Sequence, residues 1–186
     1  MESLSRSAAK PLRRALALLV LGAGLAGAGT ATEFQLKAAF LFHFPAFVEW
    51  PQRALPPEKA PWVIGVLGKD PVGAALDDMV RGETVNEHPL AVERYRSIAE
   101  ARDCQILFIP AAELDHVDAA ALTLLKGRSV LTVTDADTAT PHGVIIVLVK
   151  RENRIRLRID LRAATESNLI ISSKLLRPAE IVGAGS

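Results

Sequence analysis

Residues 144–160 read Val-Ile-Ile-Val-Leu-Val-Lys-Arg-Glu-Asn-Arg-Ile-Arg-Leu-Arg-Ile-Asp. The first run, residues 144–149, is continuously apolar and rich in β-branched side chains, which is typical of a strand that is covered on both faces. In residues 154–160 apolar and polar side chains alternate, so we predict a second strand with one buried and one polar face. Because only a short polar stretch with Glu152 and Asn153 separates the runs, the sequence predicts an antiparallel hairpin.

Upstream of this hairpin, strands and helices are predicted to alternate. Strands are predicted at residues 62–67, 90–94, 104–109 and 129–134, helices at 33–50, 72–80 and 114–126, a helical turn at 97–102 and a loop at 135–141. Two further helices are predicted at residues 161–167 and 172–182, and Pro45 and Pro178 should bend or end theirs. This order indicates an α/β fold, a single layered domain with a mixed β-sheet of about six strands flanked by helices, in which the C-terminal β-hairpin is followed by helices.

The N-terminus has the order of segments that marks an export signal. A basic start is followed by an apolar run at residues 15–25 and by small residues up to Ala31. We therefore predict a signal peptide over residues 1–31, cleaved after Ala28 or Ala31, and a single domain over residues 32–186. A retained membrane anchor is the alternative, but the run is shorter than the roughly 20 residues that span a bilayer. The expected location is the periplasm.

Charge and composition exclude several classes of protein. The chain has 22 Lys and Arg and 21 Asp and Glu, and residues 1–31 contain four of the basic residues and one of the acidic ones. The remaining 18 and 20 give the mature domain a net charge of −2, which argues against a nucleic-acid or anionic-membrane surface as its main function. An apolar content of 49% is enough for a packed core.

Cys104 is the only cysteine, so no disulfide can form within one chain. It begins the apolar run Cys-Gln-Ile-Leu-Phe-Ile at residues 104–109, which favours a buried, structural thiol. Pairing with a second chain is the alternative.

No constellation of catalytic or metal-binding residues is apparent. His43, His88, His116 and His142 lack metal-ligand spacing, and His43 lies within an apolar helix. The glycines around Lys69 follow a strand, but no Ser or Thr follows the lysine as in a phosphate-binding loop. We therefore expect no catalytic residue, no metal and no cofactor, and a protein that is not an enzyme.

Three arginines form the first candidate site. Arg154, Arg156 and Arg158 should lie along one face of a strand, about 7 Å apart from one to the next. Such a row is a candidate site for an anion or a nucleotide. The alternative is a solvated face whose charges pair with neighbouring acids.

Aromatic residues around the predicted first helix form the second candidate site, a surface for contact with a partner protein. They are Phe40, Phe42, Phe44, Phe47 and Trp50. Helical spacing puts Phe40, Phe44 and Phe47 on one face and turns Phe42 away. The alternative is that most of them pack in the core.

These residues resemble the YfiR-like family of periplasmic regulatory proteins over about residues 33–182. The resemblance begins with Lys-Ala-Ala-Phe at residues 37–40 and Trp50-Pro51. It continues through the strand before Asp70-Pro71, residues 104–109, residues 130–135, residues 143–145, residues 155–160, Ala163-Ala164, Leu169 and residues 171–176.

The resemblance implies an exported repressor of a membrane diguanylate cyclase of the YfiN type, which acts on the periplasmic sensor domain of the cyclase. It also implies an OmpA-like outer-membrane lipoprotein that relieves the repression, less biofilm at lower cyclic di-GMP, and a homodimer. The better-known members have more cysteines, which allow a bridge there between the first strand and the strand that begins Cys-Gln-Ile-Leu-Phe. Here that strand has Gly65, and Asp160 stands where an asparagine is common.

Overall fold

The computed structural model describes residues 32–137, 143–152 and 154–183. The predicted signal peptide with its cleavage sites, most of the predicted loop at residues 135–141, His142 and Asn153 lie outside the described residues.

The strands in chain order are β1 Val48–Glu49, β2 Trp62–Leu67, β3 Thr84–Val85, β4 His88–Tyr95, β5 Ile106–Ile109, β6 Leu131–Thr134, β7 Ile146–Arg151, β8 Arg154–Asp160, β9 Ile170–Ile171 and β10 Glu180–Val182. The α-helices are α1 Glu33–His43, α2 Gly73–Val80, α3 Ala111–Leu114, α4 Ala119–Thr123, α5 Leu161–Glu166 and α6 Ser173–Leu176. Two 3₁₀ turns, Phe44–Ala46 and Gln52–Ala54, flank β1.

Eight strands form a mixed sheet in the order β10-β8-β7-β6-β5-β2-β4-β3. Strands β4, β2, β5, β6 and β7 run parallel, and β8 is antiparallel to β7. Strands β1 and β9 form a separate antiparallel ribbon. The predicted mixed α/β fold is confirmed, and the strands beyond the six expected are the edge strands β3 and β10 and the two strands of the ribbon.

The antiparallel hairpin predicted over residues 144–160 is confirmed. Ile146 pairs with Ile159 and Arg151 with Arg154 across β7 and β8. Residues 144–149 are buried, and β7 lies between β6 and β8, as expected for a strand that is covered on both faces.

Helices cover both faces of the sheet. On one face, Val63, Leu107 and Val147 share a core with Leu114 of α3 and Leu122 of α4. The alternate residues of the same strands, such as Ile64 and Phe108, point the other way and are also fully buried. There α1 packs against α2, and these helices contact β8 and β4. The buried face of α1, which contains Lys37, therefore lies close to the sheet.

The helix predicted over residues 33–50 ends at His43. Pro45, which was expected to end its first part, lies in the 3₁₀ turn, and β1 follows. The helix predicted over residues 114–126 is wrong. Two short helices replace it, because Asp118 caps a new helix by accepting a hydrogen bond from the Ala120 amide at 2.9 Å.

The helix predicted over residues 172–182 is also wrong beyond Leu176. Residues 180–182 form β10 instead, which extends the sheet beside β8. Pro178 lies between the two elements and cannot continue a helical hydrogen-bond ladder. The helical turn predicted at residues 97–102 is present as hydrogen-bonded turns, in which the Glu100 and Ala101 amides donate to the carbonyls of Ser97 and Ile98, and no α-helix forms there.

Candidate functional site

Helix α1 begins at a capping box. The Thr32 hydroxyl accepts a hydrogen bond from the Gln35 amide at 3.3 Å, and the Gln35 side chain accepts one from the Thr32 amide at 2.8 Å. The buried residues that follow in this helix are Lys37, Ala38 and Leu41. The face expected from the sequence contains Phe40, Phe44 and Phe47, and of these only Phe44 is buried. The helix is therefore turned by about one residue, or about 100°, from the expected orientation.

Lys37 lies on this buried face and pairs with two carboxylates. Its ammonium group is 2.6 Å from Asp135 Oδ2 and 2.5 Å from Glu33 Oε1. Glu33 also accepts a hydrogen bond from Lys150 at 2.7 Å. Asp135 directly follows β6, and its other oxygen accepts a hydrogen bond from the amide of Ala111, the first residue of α3. This charge network fixes α1 to the sheet and to the start of α3.

The pKa values in the network follow from these contacts. Burial acts to lower the pKa of Lys37, but the hydrogen bonds to Asp135 and Glu33 outweigh it and raise that pKa above its usual value of 10.5. Hydrogen bonds from Lys150 and Lys37 lower the pKa of Glu33. Both groups are therefore charged at neutral pH.

The five aromatic residues proposed for partner contact are in different environments. Phe44 is buried in the core, with its ring centroid 6.2 Å from that of Phe40. The indole of Trp50 packs edge-on against that of buried Trp62 at 4.9 Å. Phe40, Phe42, Phe47 and Trp50 are half-buried. The structure thus places Phe44 in the core and leaves the other four partly accessible.

Ring contacts also separate Phe42 from the other aromatics of α1. Its neighbour is His43, at a centroid distance of 4.9 Å. Burial lowers the pKa of His43, which keeps this imidazole neutral at pH 7. The described ring contact of Phe42 is therefore separate from the pair formed by Phe40 and Phe44.

The β1–β9 ribbon adds an exposed apolar side chain beside the aromatic segment. Ile170 is 63% exposed and pairs with Glu49, while the Ser172 amide donates a hydrogen bond to the Phe47 carbonyl at 2.8 Å. Ile170 was not among the contact residues predicted from the sequence. The apolar run at residues 169–171 could have indicated an exposed apolar side chain, because successive side chains of a strand point to opposite faces.

The strand register places Arg154, Arg156 and Arg158 on one face of β8, as expected. Arg151 of β7 pairs with Arg154 and extends the row. Arg158 lies 3.3 Å from Glu180 and 3.7 Å from Asp137, and Asp137 also pairs with Arg151. The charges of Arg151 and Arg158 are therefore balanced by acids, while Arg154 and Arg156 are exposed.

Cys104 is buried, and its thiol donates a hydrogen bond to the Ala101 carbonyl at 3.1 Å. Burial raises its pKa to about 12. A Cβ atom at Gly65 would lie 3.2 Å from the Cys104 sulfur and 2.6 Å from the ring of Tyr95. The ring of Tyr95 therefore occupies the space that a cysteine side chain at position 65 of β2 would need.

Within the described residues, no group of three or more His, Cys, Asp or Glu side chains is arranged to hold a metal ion. In the same part of the chain, no helix has the length and apolar character needed to cross a membrane.

Comparison with known protein families matches residues 34–180 to the family described as YfiR/HmsC-like. The chain belongs to the YfiR/HmsC-like family. This family is regulatory rather than catalytic, and its setting is diguanylate cyclase signalling in the periplasm. A search of curated proteins gives no match.

The motifs that carried the resemblance to this family have structural functions in this chain. Lys37 anchors α1, and Gln105 accepts a hydrogen bond from the Val63 amide at 2.8 Å, which ties β5 to β2. Asp160 caps α5 by accepting one from the Ala163 amide at 2.9 Å. An asparagine at this position could form the same capping bond.

Proposed function

We propose that this protein is exported through an N-terminal signal peptide and represses a membrane-bound diguanylate cyclase by binding the periplasmic sensor domain of that cyclase. Repression lowers cyclic di-GMP and disfavours biofilm. The match to the YfiR/HmsC-like family over residues 34–180 carries the proposal, because it covers nearly all of the described residues.

The contact surface that we propose consists of Phe42, Phe47 and Ile170. The first two are half-buried, Ile170 is exposed, and the β1–β9 pairing brings the backbones around Phe47 and Ile170 together. Partly accessible aromatic side chains on a rigid support are typical anchors of protein interfaces. The Lys37 network supplies part of that support, since it fixes α1, the helix that contains Phe42 and precedes Phe47.

Two further partners belong to the proposal. An OmpA-like outer-membrane lipoprotein relieves the repression, and a second copy of the chain forms a homodimer. Both come from the family resemblance.

The first test measures intracellular cyclic di-GMP in a deletion strain and in the same strain complemented with the full-length gene. We expect a rise on deletion that complementation reverses. Unchanged cyclic di-GMP under several growth conditions would contradict repression of a cyclase.

A second test locates the contact surface. Complementation with Phe42→Ala should fail to restore repression, whereas Leu124→Ala should restore it. Leu124 is a matched control because it is 46% exposed and follows α4, whose Leu122 packs in the core on the other face of the sheet. Periplasmic levels of both variants must equal that of the wild type. Full repression by Phe42→Ala would show that Phe42 is not part of the contact surface.

A second candidate function is the sensing of an anion or nucleotide by the arginine face. The observation that favours it is that Arg154 and Arg156 are exposed, whereas Asp137 pairs with Arg151 and Arg158, and Glu180 pairs with Arg158. Calorimetric titration with candidate anions tests it. Binding that is unchanged in Arg156→Ala would exclude this site.

A further inference from the structure

A cleft lies at the amino-terminal edge of the sheet, opposite the edge that holds Asp135. Its volume is about 420 Å³, within the range of pockets that take small molecules. Three stretches line it: residues 53–57, residues 102–105 just before β5, and residues 127–129 just before β6. None of the residues named above for partner contact or for the arginine face belongs to this lining.

Positive charge dominates the cleft. Arg53, Arg102 and Arg128 line it, against one acid, Asp103. Arg128 is 3.6 Å from Asp103, whose side chain is 93% exposed, so this pair is open to solvent and weak. Arg102 donates to the Ala99 carbonyl at 2.8 Å, which holds its guanidinium in place without neutralising it.

The floor of the cleft is polar and buried. Ser129 is 2% exposed, and its hydroxyl oxygen has no hydrogen-bond partner among the described residues. Its backbone has a φ of 59°, which a non-glycine residue adopts only when the surroundings hold it there. The side-chain nitrogen Nε2 of Gln105 donates only long hydrogen bonds, of 3.5 Å to the Ala54 carbonyl and 3.4 Å to the Asp103 carbonyl. Buried polar groups that are this poorly satisfied are uncommon and call for a partner.

The remaining wall is apolar. Leu55, Pro56 and Pro57 form it, in the segment that follows the 3₁₀ turn Gln52–Ala54. Proline restricts the backbone, so this wall is stiff and loses little entropy when a ligand packs against it.

We propose that this cleft binds a small organic anion. Its phosphate or carboxylate group would be held by the guanidinium groups of Arg53, Arg102 and Arg128, and its apolar body would pack against Leu55, Pro56 and Pro57. Guanidinium groups recognise such oxyanions through charge-assisted, often bidentate hydrogen bonds. The inference stands apart from repression of a cyclase and from the arginine face of β8, because it uses other residues.

Calorimetric titration of the purified protein with phenyl phosphate tests the proposal, with inorganic phosphate and phenol as the comparison probes. We expect phenyl phosphate to bind more tightly than either comparison probe and to bind more weakly as salt increases. Arg53→Gln and Arg128→Gln should each weaken its binding by about tenfold or more. The double variant Arg154→Gln/Arg156→Gln should bind as the wild type does, and thermal unfolding verifies that every variant is folded.

The outcomes separate the alternatives. Loss of binding only in the β8 variant would assign the anion to the arginine face and overturn the proposal. Equal affinity for inorganic phosphate and phenyl phosphate would overturn the part assigned to the apolar wall. An absence of heat with all three probes up to millimolar concentration, with no shift of the melting temperature, would overturn the site.

Discussion

The side-chain nitrogen of Lys37 lies 2.6 Å from Oδ2 of Asp135, a residue 98 positions further along the chain. The two side chains are 5% and 10% exposed, so the pair is shielded from water. Removing one member of such a pair leaves the other charge buried without compensation. The network around Lys37 should therefore matter for stability more than ion pairs at the surface do.

Replacing Lys37 by methionine keeps the length of the side chain and removes its charge. We expect Lys37→Met to lower the free energy of unfolding by about 3–5 kcal/mol, because Asp135 then lacks its cation. Urea titration followed by circular dichroism measures the change. Arg81→Ala is the control, since its pair with Asp78 is 74% and 65% exposed, and it should change stability by about 0.5 kcal/mol or less. Equal effects of the two substitutions would contradict the importance of burial.

The lowered pKa of Glu33 predicts a specific dependence on pH. The unfolded chain takes up a proton on this group near its usual pKa of 4.5, before the folded chain does. The stabilisation is therefore complete above about pH 4.5 and is lost as pH falls through the lower pKa of the folded state. Unfolding free energies of the wild type and Glu33→Gln, measured from pH 6 to pH 3, should converge as the pH falls. A difference that stays constant over this range would contradict the assigned shift.

Gly65 should resist substitution, because Tyr95 lies against it. A Cβ atom there would be 2.6 Å from Cε2 of that ring. We expect Gly65→Ala to lower the unfolding free energy by about 1–3 kcal/mol, the usual effect of overfilling a packed site. The same substitution in a Tyr95→Leu background should have a smaller effect, so that a double-mutant cycle gives a favourable coupling. Additive effects would show that the two residues do not compete for space.

Cys104 should be unreactive in the folded protein. Attack on thiol reagents needs the thiolate, and burial raises the pKa of this thiol to about 12. Labelling with a chromogenic disulfide at pH 8 should be slow in buffer and rapid in denaturant, with one thiol released per chain. Rapid labelling without denaturant would indicate an accessible thiol. It would favour the alternative that Cys104 forms a disulfide with a second chain.

The strands were the part of the fold that the sequence predicted best. The uninterrupted apolar run before Lys150 and the alternation after Arg154 each specify a strand through local pattern alone. Strands β1, β9 and β10 have two or three residues, too few to show any period, and their pairing depends on distant partners. The break between α3 and α4 depends on the capping bond of Asp118, which competes with the apolar pattern of the surrounding residues.

The candidate sites were harder to predict, because exposure depends on the rotation of a helix. The aromatic spacing suggested that Phe40 and Phe44 face inwards together, yet Phe40 is only half-buried, and the buried face of α1 runs through Lys37 and Leu41. The sequence feature that could have indicated this orientation is Lys37, which lies four residues before the core residue Leu41. Its carboxylate partner lies too far along the chain for any local pattern to identify. The arginine row was predictable because strand alternation alone places it on one face.

The distances along the chain within the Lys37 network bear on the order of folding. Helix α1 comes first in the chain, but its ion partners Asp135 and Lys150 come 98 residues after Lys37 and 117 residues after Glu33. Loops of this length must close before α1 can be fixed, and such non-local contacts slow folding. As the chain emerges N-terminus first, α1 with its half-buried Phe42 can meet α2 early, but it is fixed in place only when Asp135 and Lys150 have followed. Holding chaperones should therefore bind this segment before any signalling partner does.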